Sequence, residues 1–231
     1  MVKSDALLRM EQLRKEAERG TRIEALGFAG ILLLPVGLAL LFCGSRKREK
    51  ANEEMDELYR EVYIREPLEE NFENTSFEPY EGFSEEMVEG FQICRMGNEF
   101  DSEAYGKGDW QDVHMEMSDV TIQDYDRLAR KDNITTLFKG RMIVLHFPKG
   151  VLSEKVAPQL KERLERVAAR HQGADMKVLD DKLILAINDG DGTAFYRQKK
   201  KEVSLEAELT KVQEDMDDIK SMIELIRGAA T

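Results

Sequence analysis

Three histidines, His114, His146 and His171, are the residues of this chain best suited to acid–base work or metal ligation. Imidazole titrates near neutral pH and is the commonest protein metal ligand. None of the three stands in an H-x-H or H-E-x-x-H spacing, so no short motif brings two of them together. His114 and His146 fall in separate strand-like stretches and can meet only across a sheet. Zinc would need third and fourth ligands that the sequence does not nominate, and a strand histidine is more often a hydrogen-bonded packing residue.

Other motifs fail on spacing. The run Asn188-Asp189-Gly190-Asp191-Gly192-Thr193 is rich in oxygen donors. Counted from Asp189 as a calcium loop, it puts Ala194 where glycine is needed and Lys200 in place of the bidentate glutamate, so it reads as a turn. Gly106-Lys107-Gly108 lacks the spacing of a phosphate loop, and there is no G-x-S-x-G elbow. Cys43 and Cys94 belong to no C-x-x-C or Cys/His cluster. The expectation is no catalytic residue, no cofactor and no metal.

The elements around these residues are set by charge and periodicity. With 46 acidic and 34 basic side chains in 231 residues the net charge is −12, which excludes a general nucleic-acid binder. The acidity is concentrated: residues 51–105 hold seventeen Asp/Glu against three Arg, while the first fifty are net basic. Between Ala25 and Gly44 lie twenty residues without a charge, ALGFAGILLLPVGLALLFCG. About twenty helical residues cross a hydrocarbon layer of about 30 Å, so this run predicts a single transmembrane helix kinked at Pro35 and Gly37, with a re-entrant hairpin and a buried soluble helix as the alternatives. Arg46, Lys47, Arg48 and Lys50 form a basic cluster at the membrane neck and favour a cytoplasmic C-terminal domain.

Five regions follow. Residues 1–24 read as a charged amphipathic helix with Ala6, Met10, Leu13 and Ala17 on one face, and 25–44 as the membrane helix. Residues 45–80 read as a juxtamembrane helix and an acidic connector. Residues 81–198 form an α+β domain: a strand from the alternation Val113, Met115, Met117; a central strand at Met142–Phe147; a helix over 153–171; and a hairpin turning at Asp180-Asp181. This predicts a small antiparallel sheet with one or two packed helices. Gly97-Asn98 suits a turn of positive φ, and Ser118 and Asp119 a turn closed by side chains. Residues 199–231 carry Leu205, Leu209, Val212, Met216, Ile219, Ile223 and Ile226 at 4-3-4-3-4-3 spacing. That seam fits a coiled coil with another protein or a second copy, and equally a helix laid on its own sheet. As a candidate partner contact it is the best in the chain.

Several segments taken together resemble one family. Leu58-Tyr59-Arg60 through Phe72, Tyr80-Glu81-Gly82-Phe83, and Arg95-Met96-Gly97-Asn98-Glu99-Phe100-Asp101-Ser102-Glu103 precede Met117-Ser118-Asp119-Val120. Thr136 to Val144, then Leu183–Ile187, Ala194-Phe195-Tyr196 and a polar terminal helix complete the order. Over about residues 48–226 this is similar to the bacterial membrane-protein family labelled domain of unknown function 3137. The family has no established activity, so no catalytic residue can be carried over from the resemblance, which points to a LemA-type membrane coiled-coil protein as partner. Family members carry two adjacent membrane spans and a longer central stretch, where this chain has one uncharged run and passes from Pro148-Lys149-Gly150-Val151 almost directly into a helix.

The functional expectation is a membrane-anchored, non-catalytic binding or scaffold protein. It would be single-pass in the cell membrane, touching the lipid bilayer and a protein partner. The alternative is a membrane-tethered enzyme or small-ligand domain whose pocket is assembled from distant residues.

Overall fold

The computed structural model describes residues 3–29, 34–126, 133–152, 157–189 and 205–230. The chain divides into two compact units, 1–63 and 64–231.

The first unit is a helical hairpin. Helix α1 spans Lys3–Ala29 and α2 spans Leu34–Arg60, continuing into a π-helical segment Glu61–Arg65. Ala6, Met10 and Leu13 recur at helical spacing and are buried, as are Ala51, Met55 and Tyr59 of α2. Arg9 pairs with Glu54 at 2.6 Å and Arg48 with Glu24 at 2.7 Å, so rising numbers in α1 meet falling numbers in α2. Gly20 and Gly44 let the backbones touch: a Cβ on Gly20 would lie 2.9 Å from the Gly44 carbonyl oxygen. The helices are antiparallel, and the chain reverses between Ala29 and Leu34.

The two antiparallel helices match the hairpin that stood as an alternative and leave the single-span expectation without support. The uncharged run is shared between two helices, and among the described residues no helix is long and apolar enough to cross a membrane. Pro35 does not kink a continuous helix. It sits in the first turn of α2, where its missing N–H costs nothing.

The second unit is α+β, as expected, with one six-stranded antiparallel sheet of order β1-β2-β3-β4-β6-β5. After α3 (Glu66–Asn71) come β1 (Glu73–Glu78), α4 (Glu85–Phe91), β2 (Glu99–Trp110), β3 (Val113–Asp126) and β4 (Asn133–His146). Helix α5 (Ala157–Arg170), β5 (Gly173–Leu179), β6 (Lys182–Asn188) and α6 (Leu205–Ala230) follow. The expected acidic connector is thus partly structured. It holds α3 and the edge strand β1, whose half-exposed residues tolerate the charge. The expected strands at Val113 and Met142–Phe147 are present, and the hairpin turns at Asp180-Asp181 with Asp180 at φ 52°. The start of the helix expected from Ser153, and the acidic turn from Gly190 onward, lie outside the described residues.

One sheet face packs Val120, Ile122, Phe138, Met142, Val144 and Ile184 against Phe83, Val88 and Phe91 from the α4 region. On the other, Leu68 of α3 lies over Gly106 of β2, and Lys220 of α6 sits 4.8 Å above the Trp110 ring.

Two local expectations are corrected. Ser118 and Asp119 lie inside β3, not in a turn: Ser118 donates to the Glu103 carbonyl at 2.8 Å, and Asp119 faces Arg141 across the ladder at 2.8 and 3.2 Å. Gly97 has no positive φ; it is glycine because a Cβ there would collide with the Gln123 carbonyl.

Candidate functional site

Two places gather chemistry-bearing residues, one in each unit. In the hairpin, the antiparallel packing brings both borders of the uncharged run to one level, with Glu24 and Arg48 joined across it. Below that level, Arg46, Lys47 and Lys50 of the expected basic cluster are exposed on α2, and Arg48 is half-buried in its ion pair. Arg19 and Arg22 on α1 are exposed beside them. The antiparallel packing of α1 on α2 makes one collar of both sets. Above the collar, Leu26 is 64% and Phe42 59% exposed, and Cys43 is also exposed. The Arg46 guanidinium lies 4.3 Å from the Phe42 ring centre, a cation–π contact at the polar–apolar border.

In the sheet, His114 and His146 do meet. They are directly opposed on β3 and β4, with ring centres 5.8 Å apart. Asp109 stands opposite His114 on β2, so Asp109, His114 and His146 form one lateral row. His114 Nδ1 is 2.7 Å from Asp109 Oδ1, and Asn74 donates to the other Asp109 oxygen at 2.9 Å. One step along β3, Glu116 accepts from His146 Nε2 at 2.7 Å and from the Tyr105 hydroxyl at 2.5 Å.

A bulge in β2 makes this row possible. Between Glu103 and Gly106 the register shifts, with Ala104 at φ 59°, so two β2 residues oppose one on β3. The side-chain parity flips there. Ser102 lies on the α4 side before the bulge, and Tyr105 and Asp109 occupy that same side after it.

The electrostatics follow from the contacts. The His146 hydrogen bond, opposed by burial and aided by Tyr105, pulls Glu116 down to about 2. The bond from His114, then that from Asn74, lowers Asp109. Burial, followed by Glu116, raises Tyr105. Both carboxylates are therefore ionised acceptors at neutral pH. The row is open to solvent, with His114 44% and His146 30% exposed. An open depression of about 330 Å³ lies elsewhere on the β2–β3 pair, beside Asp101, Thr121 and Tyr125. Among the described residues no group of three or more His, Cys, Asp or Glu converges as a metal cage.

His171 is placed differently. It is 6% exposed, with Nδ1 2.7 Å from Asp189 and Nε2 2.8 Å from Asp215. Arg170 bonds Asp215 and Asp218, both at 2.7 Å, and Lys211 reaches Asp189 at 3.3 Å. The network ties α5, the end of β6 and α6 together. No motif announced it, because its members are scattered over three elements.

The seam of α6 is placed mostly inside the protein. Met216, Ile219, Ile223 and Ile226 are at most 1% exposed, Leu209 and Val212 are half-buried, and Leu205 begins the helix. The helix lies against α5 and α3. Of the two readings the seam allowed, the structure adopts the helix laid back on its own domain, so the four buried residues are not a free partner contact.

No family model, curated protein or solved structure matches this chain. The resemblance to domain of unknown function 3137 rests on the quoted segments alone.

Proposed function

We propose that this chain is a membrane-docked, non-catalytic binding or scaffold protein whose hairpin tip enters one leaflet of a cell membrane and holds the α+β domain at the surface. The observation that carries the reading is the fold of the uncharged run. The described part of that run lies on two antiparallel helices, Ala25–Ala29 of α1 and Leu34–Gly44 of α2, each well short of the about twenty helical residues that cross a hydrocarbon layer of about 30 Å. Exposed Leu26 and Phe42 sit where such a tip would meet acyl chains, and the collar of Arg19, Arg22, Arg46, Lys47 and Lys50 sits where it would meet headgroups. Protein contacts, with a second copy or another membrane protein such as a LemA-type coiled-coil protein, would then use surfaces other than the buried half of the α6 seam.

A second reading, a tethered small-ligand domain, is favoured by the row Asp109–His114–His146 on an open sheet face.

Flotation of the full chain with phosphatidylcholine vesicles tests the first reading. Each buried large apolar side chain is worth about 1.5–3 kcal/mol, so Leu26→Asp with Phe42→Asp lowers the bound fraction by at least about a hundredfold in partition coefficient. Equal flotation of the double variant, or none by the unaltered chain, refutes it.

A further inference from the structure

A carboxylate oxygen can only accept, so the nitrogen facing an ionised Asp109 or Glu116 must carry the hydrogen. In neutral imidazoles this fixes both tautomers: His114 is protonated at Nδ1 and His146 at Nε2. The lone pairs are left on His114 Nε2 and His146 Nδ1. A carboxylate backing each imidazole is the arrangement that orients metal-binding histidines and raises their basicity. The spacing is also apt. With Zn–N bonds of about 2.0–2.1 Å, two rings sharing one tetrahedral ion have centres about 5 Å apart. The observed 5.8 Å is within an ångström of that.

We propose that His114 and His146, opposed on β3 and β4, form a two-imidazole site for a divalent transition metal of the zinc class. The chain supplies two nitrogen ligands, and water or a donor from a bound molecule supplies the rest. Asp109 and Glu116 are positioning residues, and Tyr105 holds Glu116 from its far side. The site does not depend on membrane docking, since every residue in it belongs to the sheet.

Zn²⁺ titrated into ¹⁵N-histidine-labelled full-length protein tests this, because three histidines give three separable ring signals. His114 Nε2 and His146 Nδ1 shift on binding, and His171, with both nitrogens held by carboxylates, stays in place and reports that the fold is intact. His114→Gln or His146→Gln weakens binding at least tenfold, and Glu116→Gln by about 10–100-fold. Unmoved His114 and His146 signals at millimolar Zn²⁺ overturn the proposal. So does unchanged affinity in His114→Gln with the His171 signal undisturbed.

Discussion

His171 makes the stability of the second unit depend on pH in the direction opposite to that of a buried neutral histidine. Only an imidazolium can donate from both ring nitrogens to two carboxylates at once. Burial alone would lower its pKa, but the hydrogen bonds and charges of Asp189 and Asp215 outweigh that and hold it above the ordinary value of 6.5. A proton bound more tightly in the folded state stabilises that state fully below about 6.5. The contribution is lost as pH rises through the folded pKa. The groups facing the ring are Asp189 at the end of β6, Asp215 and Lys211 on α6, and Arg170 on α5, which also engages Asp218. Because Lys211 and Arg170 still neutralise the carboxylates, His171→Gln forfeits about one charged hydrogen bond, roughly 1.5–3 kcal/mol. For a unit of this size that lowers Tm by about 3–12 °C at pH 6. Urea denaturation of the full chain and of His171→Gln from pH 5.5 to 9 is the assay. The gap between them is widest at the acid end, pH 5.5–6, and narrows with rising pH. A gap that is constant, or that widens on the alkaline side, refutes the reasoning.

Other outcomes follow from the same contacts. Asp119 and Arg141 form a two-pronged pair with side chains only 10% and 16% exposed, so Arg141→Met strands a carboxylate and costs about 3–5 kcal/mol. Adding Asp119→Leu restores most of that, measured as a double-mutant cycle in urea. Glu116, pulled down to about 2 chiefly by the His146 hydrogen bond, against burial and with help from Tyr105, contributes stability above about 4.5 that is lost as pH falls toward 2. Glu116→Gln accordingly flattens the acid limb of a curve of unfolding free energy against pH, measured in urea, by about 1–2 kcal/mol at pH 4.5 relative to pH 2.5.

Elements carried by unbroken periodicity were legible in the sequence. The alternation at Val113–Met117 gave β3, and Asp180-Asp181 gave the β5–β6 turn. The α6 seam was legible as a helix but not as to what it packs against, since an apolar stripe looks the same against a partner or against its own sheet. Strand β2 was not legible. Its alternation changes phase at the Ala104–Tyr105 bulge, and where Leu68 and Phe72 approach it carries Gly106 and Gly108 in place of β-branched residues. The hairpin was legible only as the second choice, because twenty uncharged residues match a membrane span in length and Pro35 was read as a kink. A proline just after the midpoint of such a run is also the signature of a helix start. The histidine row was half legible: a meeting of His114 and His146 across strands was foreseeable. The pairing of His114 with Asp109, and of Glu116 with Tyr105, was not, because the bulge that puts Tyr105 and Asp109 on the histidine face leaves no mark in residue spacing.

Topology separates one-leaflet docking from a single membrane span. In a chain with Cys43 and Cys94 replaced by serine, single cysteines at exposed Asp5 and Asp217 can be probed with a membrane-impermeant maleimide on sealed vesicles. Docking by the hairpin tip predicts that both positions label from the same side, without detergent. Labelling from opposite faces of the membrane would contradict it.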